Sequence, residues 1–383
     1  MGTGIVSVIQ KNKDMEIVAI ADIDINILNK VKYLLPKKAL VTTNAFEVLT
    51  TKPDVLIEAS GTIYEAFSLV NKAIEDGIHV ILLNSEVDQT FGYYLSKKAM
   101  ANGVILTSDA GDQHGVIVRM INEIRDMGFE VVMAGNNKGF LDRYANPESI
   151  KEEALKRRLS LKQCVSFTDG TKLAIEMALI ANSQEFSLLK IGMIGPRVKN
   201  VEESLKVFDL ERARKLGGVV DYVLGAQPGG SVFVIGHSDD PEEQFYMNYY
   251  KMGKGPYYLF IRPYHLCHFE TPFTIRSIME DRKPVLVQKR RVLEVGCRAK
   301  IDLQKGTKLD GIGGYYLYGI LEEQGCLPIG LAKGAVLINS KRKDDKISWN
   351  DVKFPKDDPR LVHWEEQINI TKSKVAHIKP QVS

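Results

Sequence analysis

The chain has 383 residues, a hydrophobic fraction of 44% and a formal net charge of +3. Its length predicts two or three domains, because a domain usually holds roughly 100–200 residues. The nearly balanced charge argues against a nucleic-acid partner, which needs a concentrated basic face. No apolar run approaches the roughly 20 residues that span a bilayer. The four cysteines form no CxxC pair and no secretory leader is evident, so we expect a cytoplasmic protein with reduced thiols.

In the first hundred residues, short apolar runs alternate with amphipathic stretches. The apolar runs, which are typical of buried parallel strands, are 16–22, 54–58, 79–83 and 103–107. The stretches with helical periodicity are 25–34, 63–76 and 92–101. Alternation of strands and helices predicts an α/β fold with a doubly wound parallel sheet over residues 1–111.

The beginning of the chain contains part of a dinucleotide-binding motif. Gly2, Thr3 and Gly4 come directly before a helical pattern, and the strand that follows ends in Asp22, about 20 residues after the turn. In a complete motif a strand and further glycines precede such a glycine. We therefore expect a Rossmann-type sheet that lacks its first strand in this sequence. Either Met1 is an internal methionine and that strand is encoded upstream of it, or the sequence is a fragment.

Asp22 is predicted to bind the ribose of the cofactor. A carboxylate at this position accepts hydrogen bonds from the ribose hydroxyls and repels a 2′-phosphate, so NAD is modestly favoured over NADP. Ser60 and Gly61, with Thr62, follow the strand 54–58, where small residues let a ligand approach the edge of the sheet. The alternatives are an ordinary acid at a strand end and an ordinary strand-to-helix turn with Ser60 or Thr62 as its cap.

The remaining chain divides by composition into three parts. Residues 112–289 predict an α+β domain for substrate binding and catalysis, residues 290–342 a small glycine-rich β domain, and residues 343–383 a charged C-terminal tail. The predicted helices of the α+β domain are 116–127 and 169–181, and its predicted strands are 130–134, 219–224 and 231–235. The predicted strands of the β domain are 291–295 and 335–338. The segment 225–230 (GAQPGG) is a structural turn, because a strand rather than a helix follows it.

Several phrases resemble known families. The order HVILLNSE, LSKKAMANGVIL, DAGDQHGVIVRMINEI and GNNKG resembles homoserine dehydrogenases. The phrases FTDGTK, MGKGPYY and RPYHLCHFETP resemble homoserine-dehydrogenase-like oxidoreductases that end in a SAF (β-clip) domain, a group that includes DXR-like reductoisomerases. GLAKGA (330–335) resembles the SAF signature. The resemblance implies an NAD(P)-dependent dehydrogenase or reductase, a cofactor-binding Asn84 in the loop after strand 79–83, and a SAF-like domain at 290–342.

Lys138 is the first candidate for the proton or alkoxide role in hydride transfer. It lies in the segment 135–139 (GNNKG), which predicts a turn that exposes backbone amides at the end of strand 130–134. The alternative is a solvated lysine in a turn. Arg143 follows closely and could hold a carboxylate or phosphate through two hydrogen bonds, or pair with Asp142 instead.

Asp169 and Lys172 are predicted catalytic residues at the start of the helix 169–181. Lysine at a helix start is disfavoured by the helix dipole, and a residue that breaks a local rule is a candidate functional residue. Glu176 shares their helix face at three- and four-residue spacing and is a candidate for substrate binding. The alternative for Asp169 is that it only caps the helix.

Arg262, His265, His268 and Glu270 form a dense cluster of polar residues. The histidines are more typical of a domain core or an interface, and Arg262 and His265 are also candidates for binding an anionic substrate. A metal site is disfavoured, because in an extended segment His265 does not share a face with His268 and Glu270. We expect no bound metal.

Together these features predict an oxidoreductase that transfers a hydride between NAD or NADP and a small polar hydroxy or oxo metabolite, which could carry a phosphate. One alternative is a DXR-like reductoisomerase that acts on a ketose phosphate with a divalent metal. Another is a non-catalytic or truncated cofactor-binding protein. A small-molecule substrate and a homo-oligomer are expected, with neither a nucleic acid nor a membrane as partner.

Overall fold

The computed structural model describes residues 1–371 and 381–382 and divides the chain into two compact units. The first unit comprises Met1–Val116 and His265–Gln288, and the second comprises Ile117–Tyr264 and Lys289–Ser383. Most of the last dozen residues of the predicted tail lie outside the described residues. The division into three domains and a tail stays a prediction.

The α-helices are, in chain order, α1 (Gly2–Ile9), α2 (Ile25–Val31), α3 (Tyr64–Glu75), α4 (Ser85–Ala101), α5 (Gln113–Asp126), α6 (Lys151–Arg157), α7 (Leu161–Thr168), α8 (Thr171–Gln184), α9 (Ser204–Val207), α10 (Leu210–Lys215), α11 (Pro241–Tyr249), α12 (Thr271–Met279) and α13 (Pro359–Thr371). The β-strands are β1 (Ala19–Ala21), β2 (Leu40–Thr42), β3 (Val55–Glu58), β4 (His79–Leu82), β5 (Leu106–Ser108), β6 (Glu130–Lys138), β7 (Val219–Leu224), β8 (Val232–His237), β9 (Tyr257–Arg262), β10 (Leu293–Ala299), β11 (Leu317–Glu323), β12 (Val336–Leu337), β13 (Lys346–Ile347), β14 (Val352–Phe354) and β15 (Gln381–Val382).

The first unit contains two parallel sheets, β1-β2 and β3-β4-β5. Ile81 and Leu83 on one face of the second sheet pack with Ile5 and Ile9 of α1 and with Ile278 of α12. Helices α3 and α4 contact the strands of this sheet as well. Apolar runs form these strands because helices pack against the sheet. The predicted α/β architecture with a parallel-sheet Rossmann-like region is confirmed.

Helix α4 begins seven residues before the predicted start at Gly92. Asn84 explains the start, because its Oδ1 accepts a hydrogen bond from the backbone N–H of Val87 at 3.2 Å. The helix is buried around much of its circumference, including the polar Asp88 and Gln89. It therefore lacks the amphipathic pattern by which a helix is recognised in sequence.

The second unit is built on a mixed sheet of order β7-β6-β8-β9. Strands β6 and β7 run parallel, whereas β6-β8 and β8-β9 are antiparallel. Val219, Val223 and Phe233 contribute to the apolar core on one face of this sheet. Helix α8, nearly all of whose side chains are buried, contacts β7, β10 and β11. This is the mixed sheet expected of an α+β catalytic domain.

The segment GNNKG, predicted to be a turn, belongs largely to strand β6, so that prediction is wrong. Asn136 and Asn137 pair with β7 in register, and Asn136 pairs with Val232 of β8. The Nδ2 of Asn137 also donates to the carbonyl oxygens of Ala226 and Pro228, at 2.6 and 2.7 Å. These contacts outweigh the low strand propensity of glycine and asparagine, because β6 lies between two partner strands.

Two small sheets follow in the chain, β11-β10-β13 and β12-β14-β15. A boundary at residue 342 would separate β13 and β14 from the strands to which they are hydrogen-bonded. Trp349 and Trp364, both beyond that residue, are buried. The described part of the charged C-terminal segment is thus folded. Whether residues 290–342 form a SAF-like domain stays a prediction.

Among the described residues, no helix has the length and apolar character that a membrane crossing requires.

Candidate active site

The carboxyl ends of β3 and β4 bring together the loops predicted to bind the cofactor. Ser60 and Gly61 are exposed, and the space that a side chain at Gly61 would occupy is open. The Nδ2 of Asn84 donates to the carbonyl oxygen of Thr62 at 2.5 Å, which joins the two loops. Asn84 is also the cap of α4, and it is 1% exposed. Asn84 thus joins the two loops at this edge of the sheet from a buried position.

Asp22 follows β1 and is partly exposed. Its Oδ1 accepts a hydrogen bond from the backbone N–H of Asp24 at 2.9 Å. Among the described residues its Oδ2 accepts no hydrogen bond, and the ribose-binding role of Asp22 stays a prediction.

At the amino end of α1, Gly2 and Thr3 are exposed, and Gly4 lies under the ring of His268. The Cβ of any other residue at position 4 would lie 2.5 Å from the His268 Nε2. The close approach of this ring therefore requires a glycine.

Glu58 ends strand β3 and is 3% exposed, a residue that the sequence reasoning missed. Its Oε1 accepts from the backbone N–H of Ser60 at 2.8 Å, and burial raises the pKa of its carboxyl group. This buried carboxyl group fixes the position of the loop that contains Ser60. The sequence did contain a signal for it, because an acidic residue ends the otherwise apolar run DVLIE.

In the second unit, register places polar residues in one row across the mixed sheet. Tyr222, Asn136, Val232 and Arg262 are successive cross-strand partners on β7, β6, β8 and β9. Directly paired side chains point to the same face, so the row carries a phenol, an amide and a guanidinium over roughly 15 Å. Lys138 lies two residues beyond Asn136 on β6, and therefore on the same face.

Asn136 is 1% exposed, and neither its Oδ1 nor its Nδ2 has a hydrogen-bond partner among the described residues. An amide in such a position is costly unless something binds it, because desolvation is not repaid. The sequence reasoning treated Asn136 only as part of a turn. If GNNK had been recognised as part of a strand, the two-residue period of strands would have placed Asn136 and Lys138 on the same face of the sheet.

Arg143 lines a small cavity in the second unit together with Gly170, Leu173, Gly192, Tyr222 and Gly319. Its guanidinium lies over the Tyr318 ring, 5.6 Å from the centroid. The alternative pairing with Asp142 is not found among the described residues, and the Asp142 carboxylate instead accepts from the backbone N–H of Tyr144.

Asp169 is fully buried and makes an ion pair with Lys300, with 2.8 Å between Oδ2 and Nζ. Its Oδ1 accepts from the backbone N–H of Thr171, also at 2.8 Å. Burial raises the pKa of Asp169, and the Lys300 ammonium opposes this rise. Asp169 is the C-terminal cap of α7, which ends at Thr168. Gly170, at φ +86°, precedes α8, so that helix starts two residues later than predicted. The observed contacts agree with the structural alternative, and the catalytic role stays a prediction.

Lys172 and Glu176 lie on the same face of α8, and they are 9% and 5% exposed. Lysine and glutamate are rarely buried to this degree unless they are paired or functional. Both remain candidates.

The polar cluster around residue 265 is divided between the units. Arg262 belongs to the second unit, with its guanidinium 5.0 Å from the centroid of the Tyr264 ring, whereas His265 belongs to the first. His268 and Glu270 lie in a short 3-10 helix, Cys267–Glu270, and burial lowers the pKa of His268. The roles of Arg262 and His265 stay predictions.

Comparison with known proteins gives two family matches. Residues 1–107 match the family described as "Homoserine dehydrogenase, NAD binding domain", and residues 111–271 match "Oxidoreductase DRL, catalytic domain". No curated protein matches the chain.

Three solved structures illustrate the structural similarity. A "probable dehydrogenase" from Thermotoga maritima is 13% identical with a TM-score of 0.46, over 74% of this chain and 86% of that one. Dihydrodipicolinate reductase from Paenisporosarcina sp. TG-14 is 14% identical with a TM-score of 0.38, over 73% and 90%. The 1-deoxy-D-xylulose 5-phosphate reductoisomerase from Zymomonas mobilis is 16% identical with a TM-score of 0.33, over 46% and 53%.

The two family matches follow each other along the chain and coincide with the parallel-sheet region and the mixed-sheet region. The predicted resemblance to homoserine-dehydrogenase-like oxidoreductases is therefore confirmed, apart from its SAF domain, which no match covers. The chain thus joins a region similar to homoserine-dehydrogenase-type NAD-binding domains to a region similar to DRL catalytic domains, which is the domain pair of an NAD(P)-dependent oxidoreductase.

Proposed function

We propose that this oxidoreductase transfers a hydride between a nicotinamide dinucleotide and a small polar hydroxy or oxo metabolite, phosphorylated metabolites included. The observation that carries the proposal is the polar face of the mixed sheet. Lys138, Asn136 and Arg262 share this face at the carboxyl end of β6, within the region that matches an oxidoreductase catalytic domain.

The chemistry needs an acid or base at the substrate oxygen and donors for a developing alkoxide. The Lys138 ammonium would supply the charge and the proton at that oxygen. The Asn136 amide would orient the substrate, donating through Nδ2 and accepting through Oδ1, and in this way would satisfy both of its unpartnered atoms. Arg262, two strands away, would bind a more distant anionic or polar group.

The cofactor-binding residues fit a nicotinamide dinucleotide. The open space above Gly61 permits close approach of a ligand to the backbone, and the carboxylate of Asp22 retains an oxygen for a ribose hydroxyl. The bound nicotinamide accepts or donates the hydride. We propose that NAD is preferred, because Asp22 would repel the 2′-phosphate of NADP.

Binding of the cofactor is the first test. Calorimetric titration of the 383-residue chain with NAD, NADH, NADP and NADPH should detect binding, with the non-phosphorylated forms preferred. A protein that binds none of the four would overturn the proposal. It would favour the non-catalytic alternative instead.

Lys138→Met tests the site. Removing one donor to a developing oxyanion typically costs about 2.7–4 kcal/mol of barrier, so turnover should fall by roughly 10²–10³ with cofactor affinity unchanged. Turnover is followed by the absorbance of reduced nicotinamide, with a panel of hydroxy acids, oxo acids and sugar phosphates as substrates. The matched control is Lys254→Met, at an exposed loop lysine of the same unit. Normal turnover in Lys138→Met would place the site elsewhere.

Lys172→Met separates two roles for the buried lysine. Turnover should fall steeply if Lys172 takes the proton, with Asp169 and Glu176 as its predicted neighbours in the site. KM should rise with kcat nearly unchanged if Lys172 only holds an anion. Near-normal values of both constants would exclude it from the site.

The reductoisomerase alternative is tested by metal dependence. Turnover of a ketose phosphate that stops in a chelator and returns with Mg²⁺ would favour it over simple hydride transfer. Homo-oligomerisation and a cytoplasmic location belong to the proposal as well, and gel filtration with light scattering tests the first of these.

A further inference from the structure

We propose that the cavity beside Arg143 binds the anionic group of the substrate, a phosphate or a carboxylate. The inference rests on the proposed function and adds a substrate class to it. The cavity lies in the second unit and is lined by Arg143, Gly170, Leu173, Gly192, Tyr222 and Gly319.

Arg143 supplies a positive charge, which also acts on the Asp344 carboxylate and helps to hold the pKa of that group below its usual value. Among the described residues its guanidinium has no ion pair, and it rests on the Tyr318 ring, 5.6 Å from the centroid. Stacking on an aromatic ring leaves the planar edge of a guanidinium, with its fork of N–H donors, available to anionic oxygens.

Tyr222 supplies an unused hydroxyl group. The residue is 7% exposed, and no described residue forms a hydrogen bond with its hydroxyl. Burial raises the pKa of this phenol, so it stays protonated and can donate to an anion. The hydroxyl oxygen itself remains reachable by water, so a bound anion can take the place of water as its hydrogen-bond acceptor.

The amino end of α8 adds a third favourable contribution. The helix has 14 residues, begins directly after Gly170 and has no acidic residue in its first turn. The helix dipole therefore presents its positive end to the cavity. The neighbouring carboxylate of Asp169 does not cancel this effect, because Lys300 neutralises it.

The glycines and the size of the cavity define what it accepts. Gly170, Gly192 and Gly319 line it with backbone rather than side chains. The enclosed space holds about one water-sized group, and the cavity is partly open to solvent. One oxygen of the anionic group would therefore enter it, with the rest of that group at its open side.

The cavity is within reach of the proposed reaction centre. Tyr222 is the direct cross-strand partner of Asn136, so their Cα atoms are about 5 Å apart. A single short substrate could therefore contact Asn136 and Lys138 with its reacting end and Arg143 with its anionic end. The cavity would select for anionic metabolites over neutral ones.

Direct anion binding tests the proposal without turnover. Inorganic phosphate and acetate are titrated into the protein by calorimetry, one for each source of the anion. Wild type should bind at least one of them. Affinity should fall about tenfold or more in Arg143→Met and about fivefold in Tyr222→Phe, because both lose a hydrogen bond to a charged group. Arg143→Lys should be intermediate, since it keeps the charge and loses the fork.

Two matched controls isolate the cavity. Arg125→Met removes an exposed arginine of the same unit that also lies over an aromatic ring, Phe186. Tyr258→Phe removes another unpartnered hydroxyl of the same sheet, away from the cavity. Both should bind anions like wild type, and circular dichroism should show that every variant is folded.

The outcomes are distinguishable. The proposal that the cavity binds an anion is overturned if folded Arg143→Met keeps the anion affinity of wild type, or if the control variants lose as much affinity. A wild type that binds nicotinamide dinucleotide but neither anion overturns the cavity and leaves the proposed function standing. Anion binding that depends on Arg143, in a protein that binds no nicotinamide cofactor, supports the cavity and overturns the proposed function.

Discussion

Lys300→Met should strongly destabilise the second unit, because Lys300 is the buried ion-pair partner of Asp169. Lys300 is 1% exposed, and its ammonium lies 2.8 Å from the Asp169 carboxylate. It also donates to the carbonyl oxygens of Ala145 and Gly314, at 2.7 and 3.0 Å. Methionine keeps the apolar part of the side chain and removes the charge together with three contacts.

The size of the destabilisation follows from the buried groups that lose their partner in Lys300→Met. Removing one partner of a buried ion pair typically costs about 3–5 kcal/mol, because the other charge stays buried and uncompensated. Each of the two carbonyl oxygens that loses its donor adds a cost of about 1–3 kcal/mol before relaxation. Protonation of Asp169 offsets much of the first cost, and relaxation of the two carbonyl groups offsets much of the second, so the total stays close to that of the ion pair alone. We therefore expect the free energy of unfolding to fall by about 3–5 kcal/mol at neutral pH.

Urea denaturation followed by tryptophan fluorescence measures this loss selectively, because both tryptophans, Trp349 and Trp364, lie in the second unit. The double variant Asp169→Leu with Lys300→Met should recover much of the stability, since it removes both charges. The control is Arg157→Met, which breaks an exposed pair with Glu153 and should cost less than about 1 kcal/mol.

The stability loss caused by Lys300→Met should depend on pH in a defined direction. Burial already raises the pKa of Asp169, and loss of the Lys300 ammonium raises it further. The folded variant then binds a proton more tightly than the unfolded chain, so its stability deficit shrinks as the pH falls. A loss below about 1 kcal/mol, or a deficit that grows on acidification, would refute the reasoning.

Three further substitutions test other parts of the structure. Burial raises the pKa of Asp88 to about 6, so ionisation of this carboxyl group should lower the free energy of unfolding by roughly 3 kcal/mol as the pH rises from about 4 to above 6. Asp88→Asn should remove this contribution in thermal unfolding measured at several pH values, and an unchanged pH profile would contradict the prediction. Gly115→Ala should destabilise the protein by about 1–3 kcal/mol despite better helix propensity, because the new Cβ would overlap the rigid carbonyl group of Asp109, whereas Gly229→Ala, where the space is open, should be neutral in the same urea titration. Asp22→Ala should raise the affinity for NADP relative to NAD by roughly tenfold in calorimetry, and an unchanged ratio would remove Asp22 from the ribose site.

Local patterns along the chain were sufficient to predict the fold class and the class of chemistry. Short apolar runs such as 54–58 and 79–83 predicted strands β3 and β4 almost to the residue, because the helices against which the sheet packs leave no polar position in the middle of a strand. The spacing between the first glycines and Asp22 predicted a dinucleotide-binding region, since the length of a helix and a strand fixes that distance. The resemblance of whole phrases added the oxidoreductase family.

The positions of the candidate site residues relative to one another depend on packing between distant elements. GNNKG is rich in residues that favour turns, and only its position between β7 and β8 makes it a strand and aligns Asn136 with Tyr222 and Arg262. The partner of Asp169 is Lys300, 131 residues further along the chain, and no local pattern could indicate it. Local periodicity reports how one element meets its surroundings, whereas strand register and long-range ion pairs depend on packing between elements that are distant in sequence.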